Sequence, residues 1–96
     1  MAKMRQILII GNNDNGCTPE IEKIAYDAGK HVAESNSVLI TGGLGGVMKA
    51  ASHGAKDGGG LTIGIIPQDD ASLANEFCDI VIPSGMGLSR DFLKAL

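Results

Sequence analysis

The stretch SVLITGGLGGVMKAASHGAK, residues 37–56, decides the fold. Its opening, Ser37 to Thr41, is short, apolar and β-branched, as a buried strand is. Gly42-Gly43-Leu44-Gly45-Gly46 follows with no spacer, and from Val47 to Lys56 small and apolar residues recur at helical spacing. A strand that turns through glycines straight into a helix leaves the first helical amides, and their partial positive charge, at the mouth of the turn. Glycines there let a phosphate reach the backbone without a Cβ in the way. Helix starts ordinarily favour Asp or Glu, yet Gly42 to Lys56 contains no carboxylate and Lys49 adds a positive charge to the first turn. A plain tight turn gives no reason for that charge pattern; an anionic ligand does. The spacing is neither G-x-G-x-x-G nor a Walker A motif with its Lys-Ser/Thr ending.

Upstream, Gln6 to Ile10 is a second aliphatic run, closed by the turn formers Gly11-Asn12-Asn13-Asp14-Asn15-Gly16. Thr18-Pro19 then opens an amphipathic helix that ends near Ser35, with Thr18 as cap and Pro19 at the first helical position. Glu20 and Glu22 sit in its first turn, so this helix start repels phosphate where the second attracts it. Downstream, Leu61 to Ile66 predicts a third strand closed by Pro67, and Asp79 to Ile82 a fourth closed by Pro83. Asp69 to Phe77 lies between them as a loop or short helix, and a last helix starts near Leu88.

Strands without alternation, separated by helices, predict an α/β fold: a Rossmann-like parallel sheet of about four strands with helices on both faces. Right-handed crossovers favour the sheet order 3-2-1-4, with the switch point between the first and fourth strands. In that order the loops after strands one, two and four share one crevice. Gly11, Asn12, Gly85, Gly87 and Arg90 then join Gly42, Gly43, Gly45, Gly46 and Val47 as the expected phosphate pocket. Arg90 brings a guanidinium suited to bidentate phosphate contacts, against the plainer reading of a solvated residue beside Asp91.

Ninety-six residues make a single domain, 1–96. A net charge of -3 with one Tyr, two Phe and no Trp supplies neither the basic stripe nor the stacking rings of a nucleic-acid binder. The apolar runs fall well short of the ~20 residues a bilayer crossing needs, and the N-terminus lacks a secretory pattern. The expected compartment is the cytoplasm. Cys17 and Cys78 stand outside zinc or redox spacing and read as free thiols; His31 and His53 lack partners at ligand spacing, so no metal site is expected. Ser84 and Ser89 have neither a base nor a G-x-S-x-G elbow, and no catalytic residue is assigned.

Taken together, Thr41-Gly42-Gly43-Leu44-Gly45-Gly46-Val47-Met48-Lys49-Ala50-Ala51-Ser52-His53-Gly54-Ala55 and the later Ile63-Gly64-Ile65-Ile66-Pro67 resemble the LOG-like Rossmann superfamily, in particular its molybdenum-cofactor-carrier-like proteins. The resemblance covers nearly the whole chain. It implies a phosphate-bearing ligand, a nucleotide or the molybdenum cofactor, and assembly into a homo-oligomer. Its phosphate-loop glycines fall on Gly42, Gly43, Gly45 and Gly46, and its post-strand arginine on Arg90. Such proteins continue into a second G-G-x-G-T-x-x-E motif whose glutamate serves phosphoribohydrolases, whereas this sequence stops at Leu96 without it. The expected function is therefore non-catalytic binding of a small phosphate-bearing molecule. Two rivals stand beside it: a nucleoside-5'-monophosphate phosphoribohydrolase completed by another subunit, and an oligomerisation module with an empty glycine turn. The apolar ending Phe92-Leu93-Lys94-Ala95-Leu96 and the open sheet edge are further grounds to expect self-association.

Overall fold

The computed structural model describes residues 5–11, 16–66 and 69–84. Along them run β1 (Arg5–Leu8), α1 (Pro19–Glu34), β2 (Ser37–Thr41), α2 (Val47–Asp57), β3 (Thr62–Ile66), a short 3-10 turn at Ala71–Leu73, and β4 (Ile80–Pro83). The start of α1 follows its sequence: Thr18 Oγ1 accepts the Ile21 N–H at 3.2 Å, and Pro19, Glu20 and Glu22 occupy the first turn. Beyond its C-terminus Asn36 takes a left-handed φ of 58°, which swings the chain into β2.

All three strand pairings are parallel, so the α/β class holds, but the sheet order is β1-β2-β3-β4 rather than 3-2-1-4. The link from β3 to β4 explains the difference. Its described residues carry only the 3-10 turn, and it is tied down where it ends: the Asn75 N–H donates to the Gly43 carbonyl at 2.7 Å and the Asp79 N–H to the Thr62 carbonyl at 3.1 Å. Thr62 Oγ1 also donates to the Phe77 carbonyl. A link so anchored lays β4 beside β3 and does not return across β2 to the free edge of β1.

In this order the two described helices fall on one face of the sheet. Right-handed crossovers that always step in one direction put each helix on the same side, and α1 and α2 pack there against each other. Val32 and Ala33 of α1, Leu39 of β2, and Ala51 and Ala55 of α2 form the core, with Ile7 and Ile9 against it. The two helices meet backbone to backbone: a Cβ on Gly29 would stand 1.9 Å from the Ala51 carbonyl oxygen, and one on Gly54 1.9 Å from that of Tyr26.

The pleat turns the alternate residues the other way. Leu8, Ile40, Ile63 and Ile80 are paired in one row across the four strands, and Ile65 with Ile82 in the next. Among the described residues no helix covers this face: Leu8 is 62 % exposed, Ile65 41 %, Ile80 44 % and Ile82 46 %. Thus β1, expected as a buried strand, has no buried residue, and only Ile7 within it is half-buried. The helix expected from Leu88 onward lies outside the described residues.

Candidate anion site at the start of α2

Thr41 ends β2 with its side chain inward, 2 % exposed, and its Oγ1 accepts the Gly43 N–H at 3.0 Å. That bond bends the chain as it leaves the sheet. Gly43 takes a φ of 76°, where a side chain is strained, and a Cβ there would meet Ile66 Cγ2 at 2.6 Å. Gly46, at the helix cap, has φ 61° and ψ -130° and brings no side chain of its own to cap α2. No acidic residue occupies the first turn of α2. The amides of that turn therefore face the end of the sheet with their dipole uncompensated from within the helix.

Gly11 belongs to the same place. A Cβ on it would meet Val47 Cγ1 at 2.6 Å, so the chain leaving β1 passes directly against the first residue of α2. The structure thus brings Gly11 together with the turn from Gly42 to Gly46 and with Val47. Asn12, Gly85, Gly87 and Arg90 lie outside the described residues. In the observed sheet order β3 stands between β2 and β4, so strand four does not end beside strand one as the expected order had it. The end of β4 is instead tied to β3, Ser84 donating to the Ile66 carbonyl through its N–H at 2.9 Å and its hydroxyl at 2.8 Å.

Two features of the site were not read from the sequence. Asn75 clamps the turn from outside: besides its N–H on Gly43, its Nδ2 donates to the Leu44 carbonyl at 2.8 Å. Its only sequence signal was a polar residue in a loop. Glu76 stands beside it, 3.7 Å from Lys49 Nζ, and so moderates the positive charge assigned to Lys49.

A cleft of about 270 Å³ adjoins the turn, lined by Cys17, Glu22, Gly46, Lys49, His53 and Phe77. His53 stacks on Phe77 with ring centres 4.3 Å apart and meets the edge of Tyr26 at 5.2 Å. Its Nε2 lies 3.6 Å from Asp57 Oδ2, the oxygen that also accepts the Tyr26 hydroxyl. That bond is the leading reason the Tyr26 hydroxyl is held above its ordinary pKa. Cys17 and Cys78 are both free. Burial pushes the Cys78 thiol up, which disfavours its thiolate. Among the described residues no group of three His, Cys, Asp or Glu could hold a metal ion, and no helix is long and apolar enough to cross a membrane.

This strand, glycine turn and helix start recur in known proteins. The family model of the SLOG cluster4 family matches residues 4–96. The chain belongs to that family. This SLOG cluster4 member is 45 % identical over 91 residues to an uncharacterised protein of Archaeoglobus fulgidus, a match that covers 95 % of this chain and 58 % of that one. Among solved structures it is 37 % identical, with a TM-score of 0.88, to the molybdenum cofactor binding protein from the phototrophic bacterium Rippkaea orientalis, covering 97 % of this chain and 57 % of that one. It is 35 % identical, with a TM-score of 0.85, to the molybdenum cofactor carrier protein from Chlamydomonas reinhardtii, covering 98 % of this chain and 57 % of that one. The SLOG cluster4 chain thus spans under three fifths of the length of these relatives.

Proposed function

We propose that this chain binds, without chemical turnover, the phosphate end of a molybdenum-cofactor-type ligand at the start of α2. The observation that carries the reading is a helix start with no acidic residue in its first turn and a glycine at its cap, reached through a glycine turn. Likeness to solved molybdenum cofactor binding and carrier proteins supports the ligand class. The donor set fits one end of such a ligand. Gly42 to Gly46 and the first-turn amides from Val47 suit a phosphate monoester, with Gly11 beside them and Lys49 adding charge. Nothing comparable among the described residues suits the metal end. The group's redox chemistry belongs to the metal, and these residues hold and orient the part that carries the charge.

Calorimetric titration with inorganic phosphate, AMP and a phosphorylated pterin tests the proposal. The phosphorylated pterin is expected to bind in saturable fashion and more tightly than phosphate alone. Gly45→Asp, which sets a carboxylate in the turn, is expected to weaken binding at least about tenfold, the equivalent of ~1.4 kcal/mol, with an unchanged circular dichroism spectrum. Equal affinity in the folded Gly45→Asp protein, or no saturable binding of any of the three, overturns the site. Tighter binding of AMP than of the pterin keeps the site and replaces the ligand class.

A further inference from the structure

The cleft beside the glycine turn has walls of opposite charge. From α2 come Gly46, Lys49 and His53, from α1 comes Glu22, and the link to β4 contributes Phe77. His53 and Phe77 stack with their planes 9° apart, so the lining includes a flat aromatic surface. Lys49 already has Glu76 at 3.7 Å, whereas Glu22 is in no ion pair among the described residues. Glu20 also gives the α1 start a carboxylate, but Glu22 is the one that lines the cleft. A carboxylate there repels a bare phosphate at the start of α2. It favours a ligand that brings hydrogen-bond donors of its own at a distance from its phosphate. An ionised carboxylate only accepts, and its two oxygens take two parallel N–H groups side by side. A ring edge with an imino N–H next to an amino group, the edge of guanine and of pterins but not of adenine, offers that pair.

We infer that Glu22 selects the ring of the ligand. A flat heterocycle in the cleft lies against the His53–Phe77 surface and donates its imino and amino hydrogens to the Glu22 carboxylate. Its phosphate sits at the start of α2, a placement that rests on the phosphate reading above. The dimensions agree. From Gly46 to His53 the helix runs about two turns, ~10 Å, the separation of a phosphate from a two-ring system joined to it by a short linker. At about 270 Å³ the cleft lies at the small end of ligand sites, which run from ~300 to ~1,000 Å³, and it has room for a ring system rather than a large ligand. Glu22 and His53 also line a second groove of about 300 Å³, so the carboxylate is reached from both sides.

Calorimetric titration of the wild-type protein, Glu22→Gln and Phe77→Leu with GMP, AMP and inorganic phosphate tests this. GMP carries the imino and amino edge, and AMP carries the same ribose phosphate without it. The wild-type protein is expected to bind GMP at least about tenfold more tightly than AMP. Glu22→Gln, at an exposed position, is expected to bring the two within about twofold. The ratio is the readout, because loss of the charge strengthens every phosphate ligand alike. Phe77→Leu leaves the backbone bonds of residue 77 to Asn75 and Thr62 in place. It is expected to weaken GMP and AMP at least about fivefold each and inorganic phosphate not at all. Equal binding of GMP and AMP to the wild type, or a GMP preference that survives Glu22→Gln, overturns the inference; the anion site then still stands if Gly45→Asp weakens both nucleotides. Unchanged GMP affinity in Phe77→Leu also overturns it, and no saturable binding of any of the three ligands overturns the inference and the anion site together.

Discussion

Single residues fix this molecule most firmly where one side chain serves several partners at once. Asp79 closes the bottom of the β3–β4 pair: its carboxylate accepts Lys56 Nζ at 2.8 and 2.9 Å and the Thr62 N–H at 3.0 Å. Burial alone would push its carboxyl up, but the Lys56 hydrogen bond and charge, with the Thr62 donors, outweigh that and hold it below the ordinary value of 3.8. A carboxyl held low in the folded state stabilises fully above its unfolded value and loses that contribution as the pH falls through its folded value. Asp79→Asn is therefore expected to cost about 1–2 kcal/mol at pH 7, with the difference from wild type shrinking below about pH 4. Urea titrations at a series of pH values check both parts. A penalty that stays constant down to pH 2 would show that the carboxylate's shape, and not its charge, does the work. The glycine turn was legible at this scale: Gly43 had to be glycine for its φ of 76°, and the run of glycines before Val47 announced a backbone no side chain could follow. Asn75 was not legible, since nothing beside it in sequence says that its amide will reach Leu44, 31 residues away.

The helices show how far local chemistry reaches and where it stops. The limits of α1 were readable because Thr18 and Pro19 act on their immediate neighbours, and its fit with the sequence is close. Which helix faced which was not, because the contact depends on two glycines that the amphipathic pattern passes over. Intrinsic propensity favours alanine over glycine inside a helix by ~0.8–1 kcal/mol. A Cβ on Gly29, however, would stand 1.9 Å from the Ala51 oxygen and 2.7 Å from its carbonyl carbon, which α2 can relieve only by moving away. Overpacking of a close contact costs ~1–3 kcal/mol or more, so strain wins over propensity. Gly29→Ala is expected to lower the urea midpoint by the equivalent of ~1–2 kcal/mol, and a rise in the midpoint would mean that the helices do not meet so closely. The sheet order failed for a related reason. Crossover rules restrict the options, but the choice between β3 and β1 as the neighbour of β4 rests on bonds from Asn75 and Asp79 back to Gly43 and Thr62, which form only once the chain has already arrived.

At the scale of the molecule, the one-directional order leaves α1 and α2 on one side, the glycine turn at the end of the sheet, and an apolar face on the other side. A coupling to stability follows. A ligand that binds only the folded state adds RT ln(1 + [L]/Kd), ~2.7 kcal/mol at a hundredfold excess over Kd. A phosphorylated pterin at that excess is therefore expected to raise the Tm of the wild-type protein, and to shift that of Gly45→Asp far less. Differential scanning fluorimetry of both proteins with and without the ligand checks this, and an equal rise in the two would mean that the ligand binds away from the glycine turn.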